Sequence, residues 1–226
     1  MTYHIDTGLI WDEFKKDSEC PLCEIKKIVE EQFLTEFLND AVMEDNTRIR
    51  VGKVGFCAKH FDMLFARQNK LSLDLQVGTR LEKTEHLTKT ITKKGQAKKL
   101  AKDILNSTCT CAICELVEKS MDKYYKTIAQ MFVNEKDFYK ALISTKGFCL
   151  EHYAKLLKHS DCAGVGANGY VEVLSGVEHR NFERIRGELK EFCDMHDYRN
   201  AYKPMGYLES ALPRTRTKIY GKRESP

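Results

Sequence analysis

The chain has 226 residues, 42% of them hydrophobic and 31% charged, with 37 basic against 33 acidic side chains and a net charge of +4. That length allows one large domain or two of roughly 100 residues, and the composition excludes global disorder. A charge so small neither demands nor excludes a nucleic-acid partner, and no run approaches the roughly 20 apolar residues of a membrane span.

The opening segment, MTYHIDTGLIWDEFKK, carries Asp6, Asp12 and Glu13 where a secretory signal would need a basic start and an apolar core. The expectation is therefore a cytoplasmic protein. In a reducing cytosol its nine cysteines point to metal binding or redox chemistry before disulfides.

In chain order, a short amphipathic stretch with Leu9, Ile10 and Phe14 precedes CPLCEI (Cys20 to Ile25). Ile25, Ile28, Val29, Phe33 and Phe37 then recur at helical spacing. IRVGKVGF (Ile49 to Phe56) alternates briefly and predicts a short hairpin arm. It runs into GFCAKH, read as a loop entering a helix, with Gly55 permitting the turn. Another helical pattern follows through Leu73, Val77, Leu81, Thr84, Leu87 and Ile91. From Thr88 to Ser107, lysines 89, 93, 94, 98, 99 and 102 crowd around Gly95.

The same order then returns. Leu100, Ala101 and Leu105 precede CAICEL (Cys111 to Leu116), and Leu116, Val117, Met121, Tyr124 and Ile128 follow at helical spacing. GFCLEH (Gly147 to His152) repeats Gly-Phe-Cys-x-x-His, and a long helical pattern runs from Val171 to Phe192. Cys23 precedes Cys57 by 34 positions and Cys114 precedes Cys149 by 35. This reads as a duplication of roughly 90 residues. The resulting expectation is an all-α protein of two pseudo-repeated halves, 1–88 and 109–200, joined by a lysine-rich linker or helix over 89–108. A basic, loosely held tail follows over 201–226.

A tetrahedral zinc site needs four ligands, and two thiolates two residues apart supply one side of it. On the helix after each GFC turn, the cysteine and the histidine stand at i and i+3 on one face. Folding each CxxC against the CxxH of its own half completes two Cys3His sites. One would use Cys20, Cys23, Cys57 and His60, the other Cys111, Cys114, Cys149 and His152. Zinc, two ions per chain, is favoured because mixed thiolate–imidazole tetrahedra suit it; iron–sulfur clusters usually take four thiolates. Four protein ligands leave no open position, so the sites read as structural and the protein as non-enzymatic.

The CPLC…GFCxxH pattern, written twice, and the closing EFCDMHDYRN (Glu191 to Asn200) resemble an uncharacterised family of bacterial helical proteins with two such half-motifs. The likeness covers most of residues 9 to 200. It implies a shared cysteine–histidine framework and no particular reaction. CAIC departs from it by lacking the proline of CPLC.

Other features read more plainly. Cys109 could replace Cys111 as a ligand, but alignment of the two copies favours Cys111. Cys193 and His196 have CxxH spacing without a companion CxxC. GVGANG (Gly164 to Gly169) fits a dinucleotide fingerprint to the letter but follows a helix, not a strand, and reads as an inter-helix loop. Glu24 and Glu115, directly after each CxxC, are candidates to orient a ligand histidine. A thiol-based redox enzyme or redox-sensing zinc switch is the alternative reading. An unidentified protein is the expected partner, with no membrane. Nucleic acid is the alternative, through Lys89–Lys102 and the basic tail.

Overall fold

The computed structural model describes residues 7–39, 43–200 and 204–222. Among these the chain forms helices and no strand. The helices are α1 (Gly8–Phe14), α2 (Pro21–Leu38), α3 (Asp45–Val54), α4 (Ala58–Phe65) and α5 (Lys70–Thr84). A 3-10 turn over Glu85–Thr88 leads to α6 (Lys94–Thr108), then α7 (Ala112–Asn134), α8 (Lys136–Ser144) and α9 (Leu150–Lys158). A 3-10 stretch over Ser160–Gly166 precedes α10 (Ala167–Met195), and short 3-10 turns lead to α11 (Ala211–Tyr220). No described helix is long and apolar enough to cross a membrane.

The chain does not divide into the sequential halves 1–88 and 109–200. One compact unit joins Met1–Lys27 to Met121–Pro226, and the other is the intervening Ile28–Ser120. Both boundaries fall inside long helices, α2 and α7, and not in the lysine-rich stretch. Inside an unbroken helix neither boundary carries a glycine or proline, so the usual marks of a boundary are missing. Residues 89–108 instead belong to the inserted unit, where α6 buries no residue.

In the discontinuous unit, an aromatic cluster ties α1 to α8. Trp11 and Phe14 meet Phe138 with ring centroids 5.5 and 5.1 Å apart, and Phe148 lies 6.0 Å from Phe14. Tyr170, Leu174, Val177 and Ile185 form the buried stripe of α10 at helical spacing. The segment after Pro204 is not loosely held. Leu208 and Ala211 are buried, and Lys218 is fully buried on α11 with its ammonium donating to the Lys146 carbonyl. Arg214 pairs with Glu188 at 2.8 Å. Ionic and carbonyl partners, invisible to a periodicity count, hold it down. Residues 201–203 and 223–226 of that expected tail lie outside the described residues.

In the inserted unit, Leu34 and Phe37 of α2, Val51 of α3, Leu64 of α4 and Leu73 of α5 are buried, and Phe37 meets Phe56 edge-on at 5.6 Å. The expected hairpin arm at 49–56 is helix up to Val54. Alternation over so few residues does not separate strand from helix, and the helix is selected by packing. A Cβ on Gly52 would come within 3.2 Å of Thr79 Cγ2 on α5. Arg80 binds the unit's helix ends together, donating to the Gly52 and Lys53 carbonyls of α3 and to Ser107 of α6.

Candidate metal centres

Each GFC turn is made by a glycine in the left-handed region, Gly55 at φ 66° and Gly147 at φ 78°. Any other L-residue is strained there. The turn delivers Cys57 and Cys149 to the N-cap positions of α4 and α9, in extended conformation. His60 and His152 follow within the first turn, both buried. Each cysteine sulfur lies 3.2 Å from the Nδ1 of its histidine. The CxxC knuckles form where a loop enters a long helix. Cys20 precedes Pro21, which stands at the first helical position, where its missing N–H is harmless. Ala112 takes that place in α7, so CAIC forms the knuckle without a proline.

The eight cysteines and histidines gather into two clusters, but not the expected ones. Cys20 and Cys23 meet Cys149 and His152, while Cys57 and His60 meet Cys111 and Cys114. Each CxxC thus joins the CxxH of the other copy, and the pairing within each half is overturned. Helix length supplies the reason. At 1.5 Å per residue, α2 ends about 23 Å from Cys23, so the chain leaves its own knuckle before the next GFC turn is made. The first cluster lies wholly within the discontinuous unit, the second wholly within the inserted unit.

The donor spacing is that of a single small cation. In the first cluster His152 Nδ1 lies 3.4 Å from Cys20 Sγ and 3.5 Å from Cys23 Sγ, and the sulfurs of Cys23 and Cys149 are 3.8 Å apart. In the second, His60 Nδ1 lies 3.3 Å from both Cys111 and Cys114, and the sulfurs of Cys57 and Cys114 are 3.9 Å apart. A zinc tetrahedron with Zn–S near 2.3 Å and Zn–N near 2.0–2.1 Å has edges of about 3.8 Å between sulfurs and about 3.5 Å from sulfur to nitrogen. The cysteines are free, and such separations are far from the ~2.05 Å of a disulfide. All donors in a cluster lie within 4.8 Å of one another, which leaves no room for the several irons and sulfides of a cluster.

The electrostatics ask for a cation. Burial would lower the His60 pKa, but hydrogen bonds to Cys111 and Glu30 outweigh it and hold the imidazole at about 10. Burial raises the Cys111 thiol, yet His60 and backbone N–H groups bring it down to about 6. Cys114 is pushed up to about 12 by burial and by the neighbouring sulfurs of Cys111 and Cys57. Three thiolates this close cannot all ionise unless positive charge sits among them. The other cluster behaves alike. Burial opposes protonation of His152, but Cys149 and Cys23 raise it to about 9, while hydrogen bonds from Cys20 and Cys23 pull Cys149 far down.

The surroundings differ. His60 Nε2 lies 2.7 Å from Glu30 Oε1, a carboxylate–imidazole pair that fixes the tautomer and strengthens a ligand. His152 Nε2 is buried without a hydrogen-bond partner among the described residues. The position equivalent to Glu30, seven after the second knuckle's Cys114, is Met121. Glu24 and Glu115 do not orient the histidines. They pair with Lys222 and Arg50. Glu30 escaped the sequence reading, although its place on the buried stripe of α2 with Leu34 and Phe37 marks a polar residue at an apolar position. Cys109 lies outside both clusters, as do Cys193 and His196, whose Nδ1 bonds the Phe192 carbonyl.

Fold and site together define an all-α protein with two Cys3His-type clusters able to hold metal ions. The chain belongs to the family of unknown function DUF6062, whose model matches residues 1–226. No curated protein and no solved structure matches it.

Proposed function

We propose that each cluster holds one zinc ion and that the protein is a zinc-stapled helical scaffold or regulatory protein, not an enzyme. The observation that carries this reading is the match of the sulfur–sulfur and sulfur–nitrogen separations to the edges of a zinc tetrahedron. Three thiolates and an imidazole fill the coordination shell and leave a net charge of −1, which makes a poor Lewis acid. A structural zinc is worth about 10–16 kcal/mol at neutral pH, comparable with the whole stability of a domain. The scaffold acts in the cytoplasm by presenting helical surface to a protein partner. The lysine-bearing α6, which buries no residue, would serve a polyanion equally well, and binding to DNA at low salt tests that.

Elemental analysis and X-ray absorption on freshly purified protein test the reading. Two zinc per chain in a three-sulfur, one-nitrogen shell is expected, with loss of helical circular dichroism on chelation. Metal-free protein that is fully folded refutes it.

A further inference from the structure

The two clusters differ in what covers them. Cys20, Cys23, Cys149 and His152 are between 0% and 8% exposed. The C-terminal segment lies against them. Lys222 N donates to Cys23 Sγ at 3.4 Å, and a Cβ at Gly221 would meet the sulfurs of both Cys149 and Cys23 at 3.7 Å. Buried Lys218 anchors that segment through the carbonyls of Lys146 and Phe148. Among the described residues the other cluster has no such seal. Cys57 is half-buried, Cys114 is exposed, and a cleft of about 510 Å³ carries Cys57 in its wall beside Gly55 and Phe56.

Resting on the zinc reading above, we infer that the Cys57–His60–Cys111–Cys114 centre is a peroxide-reactive thiolate site, whereas the sealed centre is an inert staple. Oxidation of cysteine follows thiolate character and access, and zinc keeps the sulfurs anionic in both centres. Access then decides. The Cys114 thiolate attacks one oxygen of hydrogen peroxide, giving a sulfenic acid and hydroxide. The Cys57 thiolate, whose sulfur lies 3.9 Å away, attacks the Cys114 sulfur and expels a second hydroxide as the disulfide forms. The two thiolates together lose two electrons, which the peroxide gains. The zinc ion, left with one thiolate and His60, is released. Glu30 acts on equilibrium binding through His60, not on the access of peroxide to Cys114.

The test uses the full-length zinc-loaded chain, treated with hydrogen peroxide while a chromophoric chelator reports free zinc and mass spectrometry maps disulfides. One zinc equivalent is expected to leave about tenfold or more faster than the second, together with a Cys57–Cys114 disulfide. Cys109, Cys162 and Cys193 lie outside both clusters, and serine at all three confines the oxidation to the ligand cysteines. Two equivalents leaving at one rate, or a fast phase without that disulfide, overturns the inference while leaving two-site binding intact. Protein holding fewer than two equivalents before peroxide is added refutes the zinc reading and this inference with it.

Discussion

The sulfur of Cys23 lies 3.8 Å from that of Cys149, 126 residues further along the chain. An ion shared by these two residues would join the two separate stretches, Met1–Lys27 and Met121–Pro226, that make up the discontinuous unit. The inserted unit is closed over a shorter span, with Cys57 and Cys114 only 57 residues apart. Because the entropy of closing a loop grows slowly with its length, the two closures would cost the folding chain similar amounts.

Glu30→Gln should weaken zinc at one centre alone. The neutral amide keeps the size of the side chain but removes the charge that holds the His60 Nε2 proton. Loss of such a partner costs about 10–100-fold in metal affinity. Competition against a chelator of known affinity should show one equivalent weakened by that factor and the other unchanged, since among the described residues His152 Nε2 has no matching carboxylate partner.

Replacing the turn glycines should destabilise unequally. Alanine at Gly55 or Gly147 incurs left-handed strain of about 1–3 kcal/mol. At Gly147 the new Cβ would also stand 2.7 Å from Glu178 Oε2, and that buried carboxylate is held by the Phe148 N–H. At Gly55 the neighbour is Arg80 Nε, 2.9 Å away on a side chain that is only half-buried, whereas Glu178 is buried. Urea unfolding of zinc-loaded protein should place Gly147→Ala below Gly55→Ala in stability.

Acid should erase the contribution of Glu188. Burial raises its carboxyl pKa, but Arg184 and Arg214 outweigh that and hold it below the usual 4.5. A carboxylate depressed in the folded state contributes stability that is complete above its unfolded pKa and is lost as pH falls through the folded one. Glu188→Gln should therefore cost about 1–3 kcal/mol at pH 7. The gap to wild type should stay constant down to about pH 5 and narrow below pH 4.5. Unfolding both proteins across that range checks it, with acid release of metal common to both.

The repeated motifs made the helical class and the chemistry of Cys20, Cys23, Cys57, His60, Cys111, Cys114, Cys149 and His152 legible, because spacing of two or three residues is a local property of a helix start. Which knuckle meets which CxxH was not legible. Separations of 34 and 35 residues suit either pairing until the lengths of α2 and α7 are known. The inserted arrangement stayed hidden for the same reason, its borders lying inside those helices. The docked α11 was missed because Lys218 and Arg214 read as part of a basic, loosely held tail, whereas Glu19, Glu178 and Glu188, far away in sequence, wait to receive them.

Zinc stoichiometry in paired cysteine variants tests the crossed centres most directly. Cys23→Ser with Cys149→Ser should leave one zinc per chain, because both changes strike one centre. Cys23→Ser with Cys57→Ser should leave none, because each strikes a different one. The reverse outcome, one zinc retained when Cys23 and Cys57 are changed together and none when Cys23 and Cys149 are, would mean that each half closes on its own ion.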